Sequence, residues 1–244
     1  MDSQRQLAVI SGGSRGLGYE VAQALASQGF DLALIAKDKN RLDEAAKKLS
    51  NLFPNITVTP FAVDLADISA TRQTAQRISS ELPTPNVLVL AHGVMSEKMS
   101  KTLRTTDEEW RRVLSINLDS VFTLTNGIAP AMAEARNGRI IIFSACLGRM
   151  SGPGNAGGLA PYRISKAGVN AFVKNLSYET GLGARGFLVD AICPGHCRTD
   201  MGGEDAPRSA QEGAETAIWL ATRDFDATKD KTGLLWEDRT VIDW

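Results

Sequence analysis

Leu7-Ala8-Val9-Ile10 runs directly into Ser11–Gly18, which reads SGGSRGLG, and then into Leu17, Val21, Ala24 and Leu25 at helical spacing. Strand, glycine turn and helix in that order form the setting a dinucleotide-binding turn requires. Gly12 permits the tight turn, Gly16 lets backbone approach a pyrophosphate, and Gly18 allows the helix to pack closely on the strand. The helix start, around Ser14, Arg15 and Leu17, would turn free N–H groups and the positive end of its dipole toward the phosphates. The glycines are spaced G-x-x-x-G-x-G rather than G-x-G-x-x-G. An ordinary turn between strand and helix can look the same, so the rest of the chain has to decide.

That remainder alternates strand and helix. Asp31–Ala36 is nearly all apolar, as in a strand buried on both faces. Leu42, Ala45, Ala46 and Leu49 mark the next helix, Ile56–Val63 a strand, and Ile68–Leu82 a helix stopped by Pro83 and Pro85. Val87–Ala91 is the fourth strand. Thr106 caps a long helix with acids at Asp107, Glu108 and Glu109, where the dipole favours them. Its apolar stripe is Trp110, Val113, Leu114, Leu118, Val121 and Phe122. Arg139–Phe143 and Phe187–Ile192 read as strands, Pro161–Leu176 and Ala214–Thr222 as helices, and Leu234–Trp236 as a last short strand. Gly148–Gly158 is glycine-rich and predicts a loop bordering a site. The expectation is one α/β domain over residues 1–244, a doubly wound parallel sheet of the Rossmann type.

Composition narrows the function. Charged residues are 23% of the 244, the net charge is −1, and neither nucleic acid nor an anionic membrane is favoured as a partner. No apolar run approaches the ~20 residues of a bilayer span, and the opening MDSQRQ predicts no signal peptide. Cys146, Cys193 and Cys197 are read as reduced thiols of a cytoplasmic protein. Cys193-Pro-Gly-His196-Cys197 lacks the second pair a zinc site needs, so no metal is expected.

In doubly wound sheets ligands sit beyond the carboxyl ends of the strands, which directs attention to the residues there. After the second strand come Ala36, Lys37 and Asp38; with Arg15 nearby, two cations and no acid at the first position favour NADP over NAD. Asp38 could instead turn inward, and the cations could be plain surface charges. Asp64-Leu65 follows the third strand, where the carboxylate could accept from an adenine amino group or cap the next helix. Tyr162 and Lys166 lie one helical turn apart on the same face. The lysine could bring a phenol of ordinary pKa ~10 toward neutrality and hold a ribose hydroxyl. Asn117 interrupts the stripe of the long helix, either as a back-bonding bend or as the holder of a water serving the lysine.

These motifs in this order resemble the short-chain dehydrogenase/reductase family over essentially the whole chain. Its TGxxxGxG loop resembles Ser11–Gly18, its YxxxK pair Tyr162 and Lys166, its helix asparagine Asn117, and its Pro-Gly turn Pro194-Gly195. YRISKAGVNA, the CPG-x-x-RTDMGG stretch and the closing tryptophans are similar to the carbonyl-reductase-like branch, which prefers NADPH. The resemblance implies that Tyr162 is the general acid toward a carbonyl oxygen, with Lys166 lowering its pKa and binding the nicotinamide ribose. Asn117 would support the proton relay. Pro194, Gly195, Cys197 and Thr199 would contact the carboxamide.

Two departures stand out. The family's NNAG turn reads Leu90-Ala91-His92-Gly93, so Ala91 and Gly93 are expected to line the cofactor, with His92 either structural or near the ribose. The family's catalytic serine falls on Ala145. Ser144 lies one residue early and, in a strand, on the opposite face. Loss of an aimed donor can cost roughly 10²–10³ in rate, unless Ser144, Cys146 or Asn155 substitutes.

The expected function is an NADPH-dependent reductase of a ketone or aldehyde, working on a small neutral or apolar substrate. The alternative is an NADPH-binding scaffold or regulator with weakened catalysis. The substrate pocket is expected from Met95–Met99, Gly148–Gly158 and Met201–Arg208, and a homo-oligomer, dimer or tetramer, is expected because the outer faces of the long helices stay bare.

Overall fold

The computed structural model describes residues 5–97, 101–152 and 157–244. Its elements in chain order are β1 (Leu7–Ser11), α1 (Gly16–Ser27), β2 (Asp31–Ala36), α2 (Lys39–Leu52), β3 (Val58–Ala62), α3 (Ile68–Glu81) and β4 (Val87–Leu90). After these come α4 (Asp107–Leu114), α5 (Ser120–Glu134), β5 (Gly138–Phe143), α6 (Ala160–Glu179), β6 (Phe187–Ile192), α7 (Ala210–Thr222), β7 (Leu235–Glu237) and β8 (Thr240–Ile242). The strands form one sheet in the order β3-β2-β1-β4-β5-β6-β7-β8. All pair in parallel except β8, which returns antiparallel on β7. Strand order reverses between β1 and β4, so a crevice opens at their carboxyl ends.

Side-chain alternation splits each strand between two cores. Leu7 and Val9 face the layer of α3, α5 and α6, with Ile78, Leu124, Met132 and Val173. Ala8 and Ile10 face α1, α2 and α7, with Val21, Leu25, Leu42 and Leu220. At the first turn, Gly12 has φ +71, and a Cβ on Gly18 would stand 2.4 Å from the Gly12 carbonyl oxygen. Helix and turn touch backbone to backbone, which only glycine allows.

Thr106 caps α4 as expected, accepting from the Glu109 amide. The long helix is interrupted, however: residues Ser115–Asp119 form a π turn between α4 and α5. Phe122, expected in the buried stripe, is 48% exposed and meets Phe172 edge to face. The π turn adds a residue to the repeat and rotates α5 relative to α4, which a uniform helical spacing does not anticipate. β8 is an addition to the expected elements.

The cysteines also depart from expectation. Cys146 and Cys193 are joined in a disulfide, and Cys197 alone is a free, buried thiol. The carboxyl ends of β5 and β6 are neighbours, with Phe143 paired to Ile192, and that adjacency brings together sulfurs a sequence separation of 47 conceals. No helix among the described residues is long and apolar enough to cross a membrane.

Two buried polar groups tie elements together. Asp190, in the middle of β6, accepts from the Trp236 indole at 3.0 Å, the Leu234 amide at 3.1 Å and the Thr232 hydroxyl at 3.0 Å. Arg223 stands 3.5 Å from it. His92 links β1 to α5: Nδ1 lies 2.5 Å from the Ser11 hydroxyl and Nε2 2.7 Å from that of Ser120. Because Ser120 donates to the Ile116 carbonyl, its oxygen accepts from His92 Nε2–H, and Ser11 donates to Nδ1. Burial first, and the Lys166 charge second, press the His92 pKa down to about 3.

The stability consequence has a definite sign. The unfolded chain protonates His92 near pH 6.5 while the folded chain does not, so this group's contribution is full above pH 6.5 and is lost as pH falls toward 3. Between pH 7 and 5 the loss amounts to about 2 kcal/mol at 1.36 kcal/mol per pH unit. Denaturant unfolding at the two pH values should show this loss in the native protein, and His92→Gln should remove it.

Candidate active site

The carboxyl ends of β1, β2, β3 and β4 open into a cleft of about 990 Å³. Gly12, Ser14, Arg15, Gly16, Leu17 and Gly18 form one wall, and Lys37, Asp64, Leu65, Ala91, Gly93 and Thr199 lie on the others. The close approach of Gly12 and Gly18 leaves the start of α1 uncovered, the shape a pyrophosphate needs.

Three cations of this cleft, Lys37, Arg15 and Arg41, stand beside carboxylates. Lys37 Nζ is 2.7 Å from Asp64, and that bond holds the Asp64 carboxyl below its usual range. Arg15 bonds Asp200, and Arg41 stands 3.7 Å from the same carboxylate. Asp38 caps α2 through the Arg41 amide at 3.1 Å, which settles its orientation as a helix cap. Asp64 accepts from the Ala66 amide at 3.0 Å, whereas the cap of α3 is Asp67. Arg41 and Asp200 are additions to the expected residues. Arg41 could have been suspected from its place in the first turn after the second strand, but nothing local connects Asp200 to it.

Deeper in, Tyr162 and Lys166 are 6% and 4% exposed. Lys166 Nζ donates to the Phe143 carbonyl at 2.7 Å and lies 5.9 Å from the centre of the Tyr162 ring. Burial pulls the lysine down to about 8 and pushes the tyrosine up to about 12. The expected lowering of the phenol by the ammonium is therefore absent in the chain alone: desolvation outweighs a charge already anchored to a carbonyl. Tyr162 holds its proton throughout the neutral range, the state in which a general acid begins.

Asn117 sits on the π turn and is fully buried. Its Oδ1 accepts from the Val94 amide at 2.8 Å, and its Nδ2 donates to the Val94 carbonyl at 2.9 Å and to the Ser165 hydroxyl at 3.0 Å. The residues after Val94 are held as tightly. Arg112 donates to the Met95 carbonyl, the Ser96 hydroxyl accepts from the Tyr162 amide at 2.9 Å, and Glu109 accepts from the Glu97 amide. Ser96 thus caps the start of α6 from across the site, where the local cap residue Leu159 offers no side-chain bond.

Ser144 faces α6, donating to Asn170 Oδ1 at 2.5 Å with the Lys166 carbonyl at 3.4 Å. Ala145 is extended, at φ −160 and ψ 154, and half-buried. Cys197 turns inward, its sulfur 3.2 Å from the Pro194 carbonyl, and Pro194, Gly195 and Cys197 lie outside the lining of the cleft. Of the residues expected to shape the substrate pocket, 98–100 and 153–156, including Met99 and Asn155, lie outside the described residues.

This arrangement has clear relatives. FabG, the 3-oxoacyl-(acyl-carrier-protein) reductase of Escherichia coli (strain K12), is 31% identical over 201 residues, covering 82% of this chain and 77% of its own. The same enzyme of Pseudomonas aeruginosa is also 31% identical, over 82% of this chain and 77% of its own. Among solved structures, a short chain dehydrogenase of Escherichia coli CFT073 complexed with NADPH superposes with a TM-score of 0.82 at 22% identity, over 95% of both chains. A blue fluorescent protein from a metagenomic library, in complex with NADPH, gives 0.81 at 23%, over 94% of both. Residues 6–210 match the family model described as short chain dehydrogenase. With the glycine turn, the strand order and the Tyr162–Lys166 pair in place, the chain belongs to the short-chain dehydrogenase family.

Proposed function

We propose that the protein is an NADPH-dependent reductase that delivers a hydride to the ketone or aldehyde carbon of a small neutral or apolar substrate. The observation carrying this reading is the buried, protonated Tyr162 set one turn from Lys166, whose Nζ lies just behind Gly93 of a dinucleotide-shaped cleft. The curated relatives are reductases of a 3-oxo group, and two structural neighbours hold NADPH, which supports the same direction.

The cleft fits the cofactor. The start of α1 offers its amides to the pyrophosphate, and Lys37, Arg15 and Arg41 can exchange their carboxylate partners for a 2′-phosphate, to which guanidinium forks are well matched. Bound there, NADPH supplies the hydride. Tyr162 gives its proton to the carbonyl oxygen, Lys166 favours the resulting phenolate and holds the ribose, and Asn117 keeps the Val94 backbone and α6 in place around them. Thr199 lines the cleft and would meet the nicotinamide end, whereas Pro194, Gly195 and Cys197 stand behind that wall.

One observation favours a second reading, an NADPH-binding regulator of weak activity. Ala145 carries no donor, and the Ser144 hydroxyl is spent on Asn170. Exposed Phe122 on the outer face of α5 and Ile164 on α6 support self-association into a homodimer or tetramer; a monomeric mass at micromolar concentration would refute it.

NADPH oxidation with a panel of ketones and aldehydes separates the readings. Tyr162→Phe should lower turnover roughly 10²–10⁴-fold while NADPH affinity stays within about twofold. Ala145→Ser should raise turnover by about tenfold or more, by restoring an aimed donor. A native protein inactive where Ala145→Ser turns over would favour the regulator. Arg15→Ala and Arg41→Ala should each weaken NADPH binding by about tenfold and leave NADH binding nearly unchanged, read by fluorescence titration of both cofactors.

A further inference from the structure

The disulfide between Cys146 and Cys193 lies where the two ends of the substrate side meet. Cys146 opens the turn after Ala145, the position of the family's serine, and Cys193 immediately precedes Pro194-Gly195. Main-chain pairing already holds these segments together: the Ser144 amide donates to the Ile192 carbonyl at 2.8 Å. The Cα atoms are 5.7 Å apart, so the backbone accommodates a bond without displacement.

A third group faces both sulfurs. Glu237, at the end of β7, places Oε1 3.5 Å from each. Two thiols can donate to that carboxylate, whereas a disulfide has no hydrogen to offer it. Glu237 therefore favours the reduced pair over the oxidised one. The three side chains supply one donor fewer than the closed tetrahedral set of a structural zinc site. Exposure assigns an order: Cys146 is partly accessible, while Cys193 is 2% exposed.

We propose that Cys146 and Cys193 form a reversible dithiol–disulfide couple at the substrate end of the sheet, oxidised by a low-molecular-weight disulfide of the glutathione type. The Cys146 thiolate attacks one sulfur of the external disulfide, breaking its S–S bond and releasing one thiolate. Cys193 then attacks the mixed disulfide, forming the Cys146–Cys193 bond and expelling the second external thiolate. The two chain thiols lose two electrons, the external disulfide gains them, and the two thiol protons end on the released thiols. Oxidation thus adds a covalent tether between the turn bearing Ala145 and the turn beginning at Pro194, and reduction leaves them joined by the strand pairing alone.

The full-length protein, equilibrated in buffers of stepped reduced and oxidised glutathione, is alkylated and weighed intact. In excess oxidised glutathione the native protein should lose two alkylatable thiols without retaining glutathione, and reduced glutathione should restore both without denaturant. Cys193→Ser should trap one glutathione on Cys146, and Cys146→Ser should take glutathione up at least tenfold more slowly. Glu237→Gln should move the equilibrium about tenfold toward the disulfide. Cys197→Ser should lose and regain the same two thiols under the same buffers. Two thiols still free in the oxidising buffer, a bond that resists reduced glutathione in the folded chain, or faster glutathione uptake by Cys146→Ser than by Cys193→Ser would each overturn the proposal.

Discussion

The amide of Asn117 is the contact on which the rest of the site depends. It holds the backbone after β4 from both sides, through the amide and the carbonyl of Val94, and reaches α6 at Ser165. A helix running through this point in uniform α geometry would aim the side chain elsewhere; the π turn over Ser115–Asp119 directs it inward. With every polar atom of the amide engaged, removal would strip the half-buried Val94 amide and carbonyl of their protein partners and release the backbone after β4. The position of Tyr162 and Lys166 relative to the cleft follows from this brace and from Ser96 at the start of α6.

Electrostatics divides the cleft into two regimes. Its outer end carries cations paired in exposed positions, where ion pairs are weak and exchange readily. Behind its inner wall the side chains are buried, and there burial sets the protonation of His92, Lys166 and Tyr162. All three are moved toward their uncharged forms. A bound anion at the outer end meets partners ready to change, while the inner end keeps a proton in place on the phenol.

Much of this was legible along the chain because local chemistry carries it. The glycine turn, the buried strands and the Tyr162–Lys166 spacing each follow from residues close in sequence, and a doubly wound parallel sheet then follows from alternation of strand and helix, though its strand order does not. Contacts between distant segments were not legible. Arg41 with Asp200, Ser96 with Tyr162, and Cys146 with Cys193 meet only because parallel strands bring every carboxyl end to one edge. The π turn was hidden for a different reason. Asn117 marks it, but one polar residue in an apolar stripe has several physical explanations. The direction of the Tyr162 shift required knowing how completely the ring is buried.

Asp190 has a consequence for uniqueness rather than for strength. β7 meets β6 through only two residue pairs, Ala191 with Leu235 and Ile192 with Trp236. Apolar strands this short offer little to distinguish one alignment from a neighbouring one, and a slip of one residue would reverse every side chain. A carboxylate that accepts from Thr232, Leu234 and Trp236 fits a single alignment. Any other strands a buried charge, at a cost of several kcal/mol. Asp190 acts as a key cut for one lock position: it penalises wrong closures of the sheet, and the end of β7 that carries Glu237 inherits its place from that selection.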